Sequence, residues 1–176
     1  MNNADELAPA SSRLPDWLQR PPGSNGEARE IKKLLRSSKL NTVCEEARCP
    51  NIAECFGRGT ATFMILGDVC TRACRFCSVH TGRPSMPATN FDTEALSVAQ
   101  AAKSLSLKHV VVTSVARDDL SDGGAEGFVK TLEALRKENP GITIEVLVPD
   151  FKGDRAPLEA VSVSYTHLTL PTICSV

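Results

Sequence analysis

Six of the chain's seven cysteines fall between positions 44 and 77, spaced as Cys44-x4-Cys49-x5-Cys55 and then Cys70-x3-Cys74-x2-Cys77. Thiols crowded in this way restrict the fold more than any other feature of the sequence, because they point to ligation within one short stretch. A [4Fe-4S] cluster presents four iron corners, so three cysteines per set leave one corner of each cluster without a cysteine ligand and open to chemistry. A secreted disulfide framework is the first alternative, but Met1 to Arg13 holds no apolar stretch to serve as an export signal, and six neighbouring cysteines fit metal ligation better. A structural zinc module is the second. Zinc ribbons, however, close a tetrahedron with paired cysteines, and the ferredoxin run spaces its cysteines by two and two and adds a fourth before a proline.

The net charge of -1 gives no general attraction to nucleic acid, and no segment approaches the roughly 18 apolar residues of a membrane span. The expectation is a soluble, cytoplasmic chain with no nucleic-acid or membrane partner. Three regions are expected: 1–57, an arm plus the first cysteine set; 58–161, an alternating core; and 162–176, an atypical tail. Residues 1–26 are rich in Pro, Ser, Asn and Gly, and their Leu14-Pro15-Asp16-Trp17-Leu18 patch reads as a docking arm anchored by the single Trp. Glu27 to Leu40 reads as a helix with Ile31, Leu34 and Leu35 on one face and Arg29, Lys32, Lys33 and Arg36 around the others; that charge is either a solvated surface or a docking site for an acidic protein.

From Ala61 the chain alternates. Ala61–Leu66, His109–Val115 and Ile142–Val148 are apolar and β-branched runs with little polar alternation, hence strands expected to be buried on both faces. Between them, Asp92–Leu105 opens on acidic, cap-like residues, while Ala125, Phe128, Leu132 and Leu135 recur at helical spacing until Asn139-Pro140-Gly141. Strand, helix, strand, helix, strand is the signature of an α/β fold with a parallel sheet, whose right-handed crossovers open the strand ends on one edge. The second cysteine set follows the first strand, at that edge. After Glu159 no Asp, Glu, Lys or Arg occurs, and Val161 to Val176 breaks the rhythm where a fourth strand is due. It reads either as an edge strand or as sequence foreign to the rest of the chain.

Cys70-x3-Cys74-x2-Cys77, with an aromatic at Phe76, resembles the signature of the radical S-adenosylmethionine (SAM) enzymes. In that superfamily the open iron chelates the amino and carboxylate groups of SAM, and the reduced cluster breaks the sulfonium bond to give a 5'-deoxyadenosyl radical, which takes hydrogen from carbons no ordinary side-chain base can deprotonate. The first set lies N-terminal to it, within Asn41-Thr42-Val43-Cys44-Glu45-Glu46-Ala47-Arg48-Cys49-Pro50-Asn51, and resembles the lipoyl synthase family closely. So do Gly59 to Gly67, Gly67-Asp68-Val69-Cys70-Thr71-Arg72-Ala73-Cys74-Arg75-Phe76-Cys77, Thr113 to Leu120, Asp122-Gly123-Gly124-Ala125 and Glu145 to Phe151; the resemblance runs from about residue 13 to about residue 160. It implies that Cys44, Cys49 and Cys55 hold an auxiliary [4Fe-4S] cluster sacrificed as sulfur donor, and that Cys70, Cys74 and Cys77 hold the SAM cluster. The implied reaction inserts two sulfur atoms at C6 and C8 of an octanoyl group. The implied partners are octanoylated lipoyl carrier domains, those of 2-oxoacid dehydrogenase complexes or the glycine cleavage H protein, and an electron donor such as flavodoxin or ferredoxin.

Further candidates are ranked lower. Phe76 is expected to shield the cluster and shape an adenine pocket, or else to be a core aromatic. Ser114 and Thr113 end a strand at the active edge, where hydroxyls can bind SAM or merely form a turn. Gly123 and Gly124 open a helix whose free N–H groups can take a carboxylate. Arg117 with Asp118 and Asp119 is expected to order a loop through ion pairs, and His80 and His109 to be structural. Glu145 lies on a strand expected to be buried, so it needs a partner or ligand. The family fold implied is a partial (β/α) barrel of the radical SAM type, incomplete in this chain, with an N-terminal extension carrying the auxiliary cluster. The family's serine ligand within an Arg-Ser-Ser-Tyr stretch has no counterpart beyond Ser164-Tyr165, so the chain is expected to be incomplete and poorly active. A non-catalytic iron-sulfur electron carrier and a structural zinc module are the alternatives in function.

Overall fold

A computed structural model describes residues 31–33, 35, 36, 40–47, 49–84 and 90–163, and the backbone of 168 and 169. The arm with its Trp17, most of the expected helix from Glu27, and the tail beyond residue 163, with Ser164-Tyr165, lie outside the described residues except for those two backbone positions. Residues 31–33 and 35–36 are helical, and Leu35 is fully buried.

The elements in order are β1 (Asn41–Thr42), α1 (Val43–Glu46), α2 (Ile52–Gly57), β2 (Thr60–Ile65), β3 (Val69–Cys70), β4 (His80–Thr81), α3 (Phe91–Ser104), β5 (His109–Ser114), α4 (Ala125–Glu138), β6 (Thr143–Leu147), a 3-10 turn (Phe151–Gly153), α5 (Arg155–Val163) and β7 (Leu168–Thr169). The main sheet has the order β1-β2-β5-β6-β7, and β3 and β4 form a separate parallel pair. β1 runs antiparallel to β2; β2, β5, β6 and β7 are mutually parallel, as helical crossovers require. The architecture is therefore mixed α/β with an open parallel sheet and no closed barrel among the described residues.

The three expected strands form within a residue of their expected ends. α3 starts one residue before the expectation, at Phe91, because the cap is Asn90, whose side chain accepts from the Asp92 N–H at 3.1 Å. α5 was not expected; Val161 and Pro157 are its buried residues. The short β7 pairs with β6 where an edge strand was one of two readings of the tail.

The expectation of strands buried on both faces is corrected for β5 and β6 and holds only in part for β2. Ala61, Phe63 and Ile65 of β2, Val110 and Val112 of β5 and Val146 of β6 are buried together, in register, against Val98, Ala99 and Ala102 of α3 and Phe128, Leu132 and Leu135 of α4. At the alternate positions Met64 of β2 is buried as well, whereas Thr62, Val111, Thr113, Glu145 and Leu147 are only half-buried. α3 and α4 cover one face; on the other, α1 brings Cys44 against Thr62 of β2, while β5 and β6 stay partly accessible. None of the described helices is long and apolar enough to cross a membrane.

Candidate functional site

The site begins where β2 ends. Leu66 and Gly67 both take positive φ, 70° and 99°, so the chain turns sharply out of the sheet before reaching Cys70. That conformation is costly for a leucine and is held from several sides. The Leu66 N–H donates to both oxygens of the Glu94 carboxylate, at 3.1 and 3.2 Å, and the Leu66 carbonyl accepts from the Arg117 guanidinium at 3.2 Å. The Leu66 side chain fills the space that Gly124 and Gly127 leave open: a Cβ on either would lie 2.2 or 2.5 Å from its methyl carbons. Burial pushes the Glu94 carboxyl up from its ordinary value, against the backbone N–H groups of Leu66 and Gly67 and the nearby Arg117 charge.

Cys70 is half-buried in β3, and its Sγ accepts two backbone N–H groups, from Arg72 at 3.4 Å and from Ala116, just past β5, at 3.3 Å. Cys74 and Cys77 share a turn closed by the Cys77 N–H on the Cys74 carbonyl at 3.1 Å, and Cys77 is exposed. Phe76 is 74% exposed, so its reading as a core aromatic is corrected: it projects from the cysteine loop rather than packing beneath it.

Between Cys70 and Cys74, Arg72 spreads its guanidinium across two carboxylates. Its Nε and one terminal nitrogen each donate to Asp118 at 2.7 Å, and its terminal nitrogens lie 2.8 Å from the oxygens of Asp150. These bonds hold the Arg72 proton more firmly than usual and push both the Asp118 and Asp150 carboxyls below the usual aspartate value. The Thr71 N–H and Oγ1 both donate to the Ala116 carbonyl at 3.0 Å, and Thr71 Oγ1 accepts from the Asp118 N–H at 3.1 Å.

In the first set, Cys44 lies in α1 and Cys55 in α2, with Cys49 between them donating its N–H to the Cys44 carbonyl at 3.0 Å. Thr42 caps α1 by accepting from the Glu45 N–H. Burial pushes the Cys44 thiol up, hydrogen bonding with Thr62 opposes this, and the neighbouring Cys49 and Cys55 thiols add to the rise. None of the six cysteines is in a disulfide. Among the described residues no three His, Cys, Asp or Glu side chains already converge on one metal position. The donor chemistry nevertheless suits an iron-sulfur cluster: thiols only, with Cys70 Sγ already accepting the N–H groups that stabilise a cluster sulfur.

The other expected residues divide. Thr113 is engaged, donating to the Leu147 carbonyl at 3.0 Å, whereas the buried Ser114 Oγ has no hydrogen-bond partner. The N–H groups expected free at Gly123 and Gly124 are engaged, the first with the Leu120 carbonyl at 3.2 Å and the second with the Asp122 side chain at 2.9 Å. Gly123 instead borders a cavity of ≈ 190 Å³ together with Arg72, Asp118, Phe151 and Lys152. Arg117, 3% exposed, does order its loop through an ion pair, but the partner is Asp119, bridged by two bonds of 2.8 Å, while Asp118 goes to Arg72. Glu145 is half-exposed and 3.4 Å from His109, so the expectation that it sits buried is corrected by a sheet face that is only partly covered. Sequence reasoning gave Arg72 and Asp150 no role of their own and read Glu94 only as an acid at a helix start. The one available signal was a charged residue inside the spacing Cys70-x3-Cys74.

A family model for the N-terminal domain of lipoyl synthase of the Radical_SAM family matches residues 3–49. The lipoyl synthase of Oceanobacillus iheyensis is 55% identical over 151 residues, covering 85% of this chain and 47% of the relative. That of Dechloromonas aromatica is 56% identical over 142 residues (80% and 44%), and that of Polaromonas naphthalenivorans 56% over 155 residues (86% and 46%). The chain thus spans just under half the length of the curated relatives it matches.

Proposed function

Starting from the chain's homology to lipoyl synthases over most of its length, we propose that it carries the cluster-binding part of a radical SAM sulfurtransferase that inserts sulfur at C6 and C8 of a protein-bound octanoyl group. The observation that carries the reading is the place of the second cysteine set: directly beyond β2, at the strand ends where α/β proteins bind ligands, with Cys70 Sγ already accepting two N–H groups. Cys70, Cys74 and Cys77 would hold one [4Fe-4S] cluster and Cys44, Cys49 and Cys55 a second, auxiliary one. With SAM bound, the first supplies one-electron chemistry able to take hydrogen from an unactivated carbon.

The chain's own residues position and shield. The unpartnered Ser114 hydroxyl is the group we assign to SAM, exposed Phe76 covers the cluster from solvent, and Gly123 forms part of the wall beyond β5. The strands β2, β5, β6 and β7 make the first part of a radical SAM (β/α) barrel, preceded by the auxiliary segment of residues 1–57 and followed by the tail of residues 162–176. Octanoylated lipoyl carrier domains, from 2-oxoacid dehydrogenase complexes or the glycine cleavage H protein, are the proposed substrates. A flavodoxin or ferredoxin is the proposed reductant, in the cytoplasm.

Anaerobic reconstitution with iron and sulfide tests this. Two clusters are expected, and replacing Cys70, Cys74 and Cys77 with Ala should leave the auxiliary one. Zinc bound without sulfide would favour a structural module. Two clusters with no reductive cleavage of added SAM would favour an electron carrier.

A further inference from the structure

We propose that Arg72 is a positioning residue that holds the Cys70–Cys77 loop onto the ends of β5 and β6 before any metal arrives, so that the protein rather than the cluster sets the shape of the loop. This rests on the reading of that loop as a cluster site, though the clamp itself is a property of the polypeptide.

Three segments far apart in sequence meet at this side chain. From the cysteine loop come Thr71 and Arg72. From beyond β5 comes Asp118, which takes a two-bond fork from the guanidinium at 2.7 Å and whose N–H reaches Thr71 Oγ1. From beyond β6 comes Asp150, which faces the other side of the guanidinium at 2.8 Å. The last segment is itself under strain: Phe151, Lys152 and Gly153 all take positive φ, 47°, 56° and 79°. Two consecutive left-handed residues that are not glycine persist only where their surroundings hold them. Here Phe151 is buried against Gly123, the Lys152 N–H donates to Asp150 at 2.9 Å, and Lys152 Nζ donates to the Asp118 carbonyl at 2.8 Å. The strained turn therefore fixes Asp150 toward Arg72 and ties the two acidic segments to each other. Only a planar guanidinium, with donors on three nitrogens, can span both carboxylates; an ammonium keeps the charge and loses the fork. The geometry fits a seat for the loop better than a ligand site, since every charged group on it is already engaged by another.

The test has two readouts on the 176-residue chain. In the metal-free protein, amide hydrogen exchange of residues 71–82 should accelerate in Arg72→Ala while α4 keeps its protection. After reconstitution, a chelator should strip iron from the Cys70–Cys77 set roughly tenfold faster or more, the usual cost of losing support behind a metal ligand, with the Cys44–Cys55 set unaffected. Arg72→Lys should rescue neither effect; full rescue by lysine would show that charge alone suffices and would overturn the fork. Asp150→Asn gives the same signs with a smaller size and decides the matter if Arg72→Ala does not fold. Unchanged exchange of residues 71–82, or unchanged stripping, would overturn the proposal. A wild-type chain that binds no iron through Cys70 would instead sink the cluster reading, and the exchange result would still decide the clamp.

Discussion

Gly124 has no room for a side chain: a Cβ there would sit 2.2 Å from Leu66, and its φ of 92° is one that other residues adopt at a cost. Gly124→Ala combines overpacking with strain and should destabilise by about 1–3 kcal/mol. Gly141→Ala meets nothing within 4 Å and carries only the strain of its φ of 86°, so it should cost less, about 1 kcal/mol. Urea midpoints of the two variants check the order; equal losses would mean that the Leu66 contact is easily relieved. The carboxylates around Arg72 make a second prediction. Their folded values lie below the ordinary 3.8, so their contribution is present above that pH and is lost as pH falls through the folded values. Glu94 has the opposite sign: its folded value lies above 4.5, so its contribution is present below 4.5 and is lost as pH rises through the folded value. Comparing wild type with Asp118→Asn isolates the clamp. The stability gap between them should be open at neutral pH and close well below 3.8, and a gap that persists in acid would mean that the contribution is packing rather than charge.

At the scale of elements, Asn90 is the cap that starts α3, and Asn90→Ala should lower stability by about 1 kcal/mol without changing cluster content. Thermal or urea denaturation reads the first effect and iron analysis the second. A larger element-level prediction concerns the two cysteine sets. Cys44→Ala, in a version extended to the length of the relatives, should still cleave SAM while making no lipoyl product; parallel loss of both activities with the Cys70–Cys77 cluster intact would contradict a division of labour. Much of the fold was legible in the sequence. The cysteine spacings were visible because the six thiols lie close along the chain, and the strands because β-branched runs such as Val110 to Val112 have few other uses. Arg72 was not legible as a clamp: its place between Cys70 and Cys74 marks only a charged residue in the loop, and its partners lie 46 and 78 residues away. Glu94 was read as an acid at a helix start, which it is, but its reach to Leu66 depends on how α3 packs beside the end of β2. The half-covered sheet was missed because strand composition reports apolar character and not which neighbours arrive to cover each face.

On the scale of the whole molecule, the open sheet sets what the chain can do. The face carrying Thr62, Val111 and Glu145 is only half-buried, so among the described residues a substrate placed against it meets one wall rather than an enclosure. We therefore expect the 176-residue chain to bind clusters yet make little lipoyl product, and product to rise when the sheet is extended on its β7 side. Mass spectrometry of an octanoylated carrier peptide checks this; efficient conversion by the chain as it stands would show that one wall suffices. The sheet order has one more consequence, for the time at which the molecule is made. β1-β2-β5-β6-β7 follows the order of synthesis, with the antiparallel β1 sealing the first edge. Each strand emerging from the ribosome finds its neighbour already in place, and none has to be inserted between two older ones. Growth proceeds from one side only, and the seat for the second cysteine set is finished only when Asp150 emerges, long after the cysteines themselves. Metal delivered earlier would meet a loop held to Asp118 but not yet to Asp150.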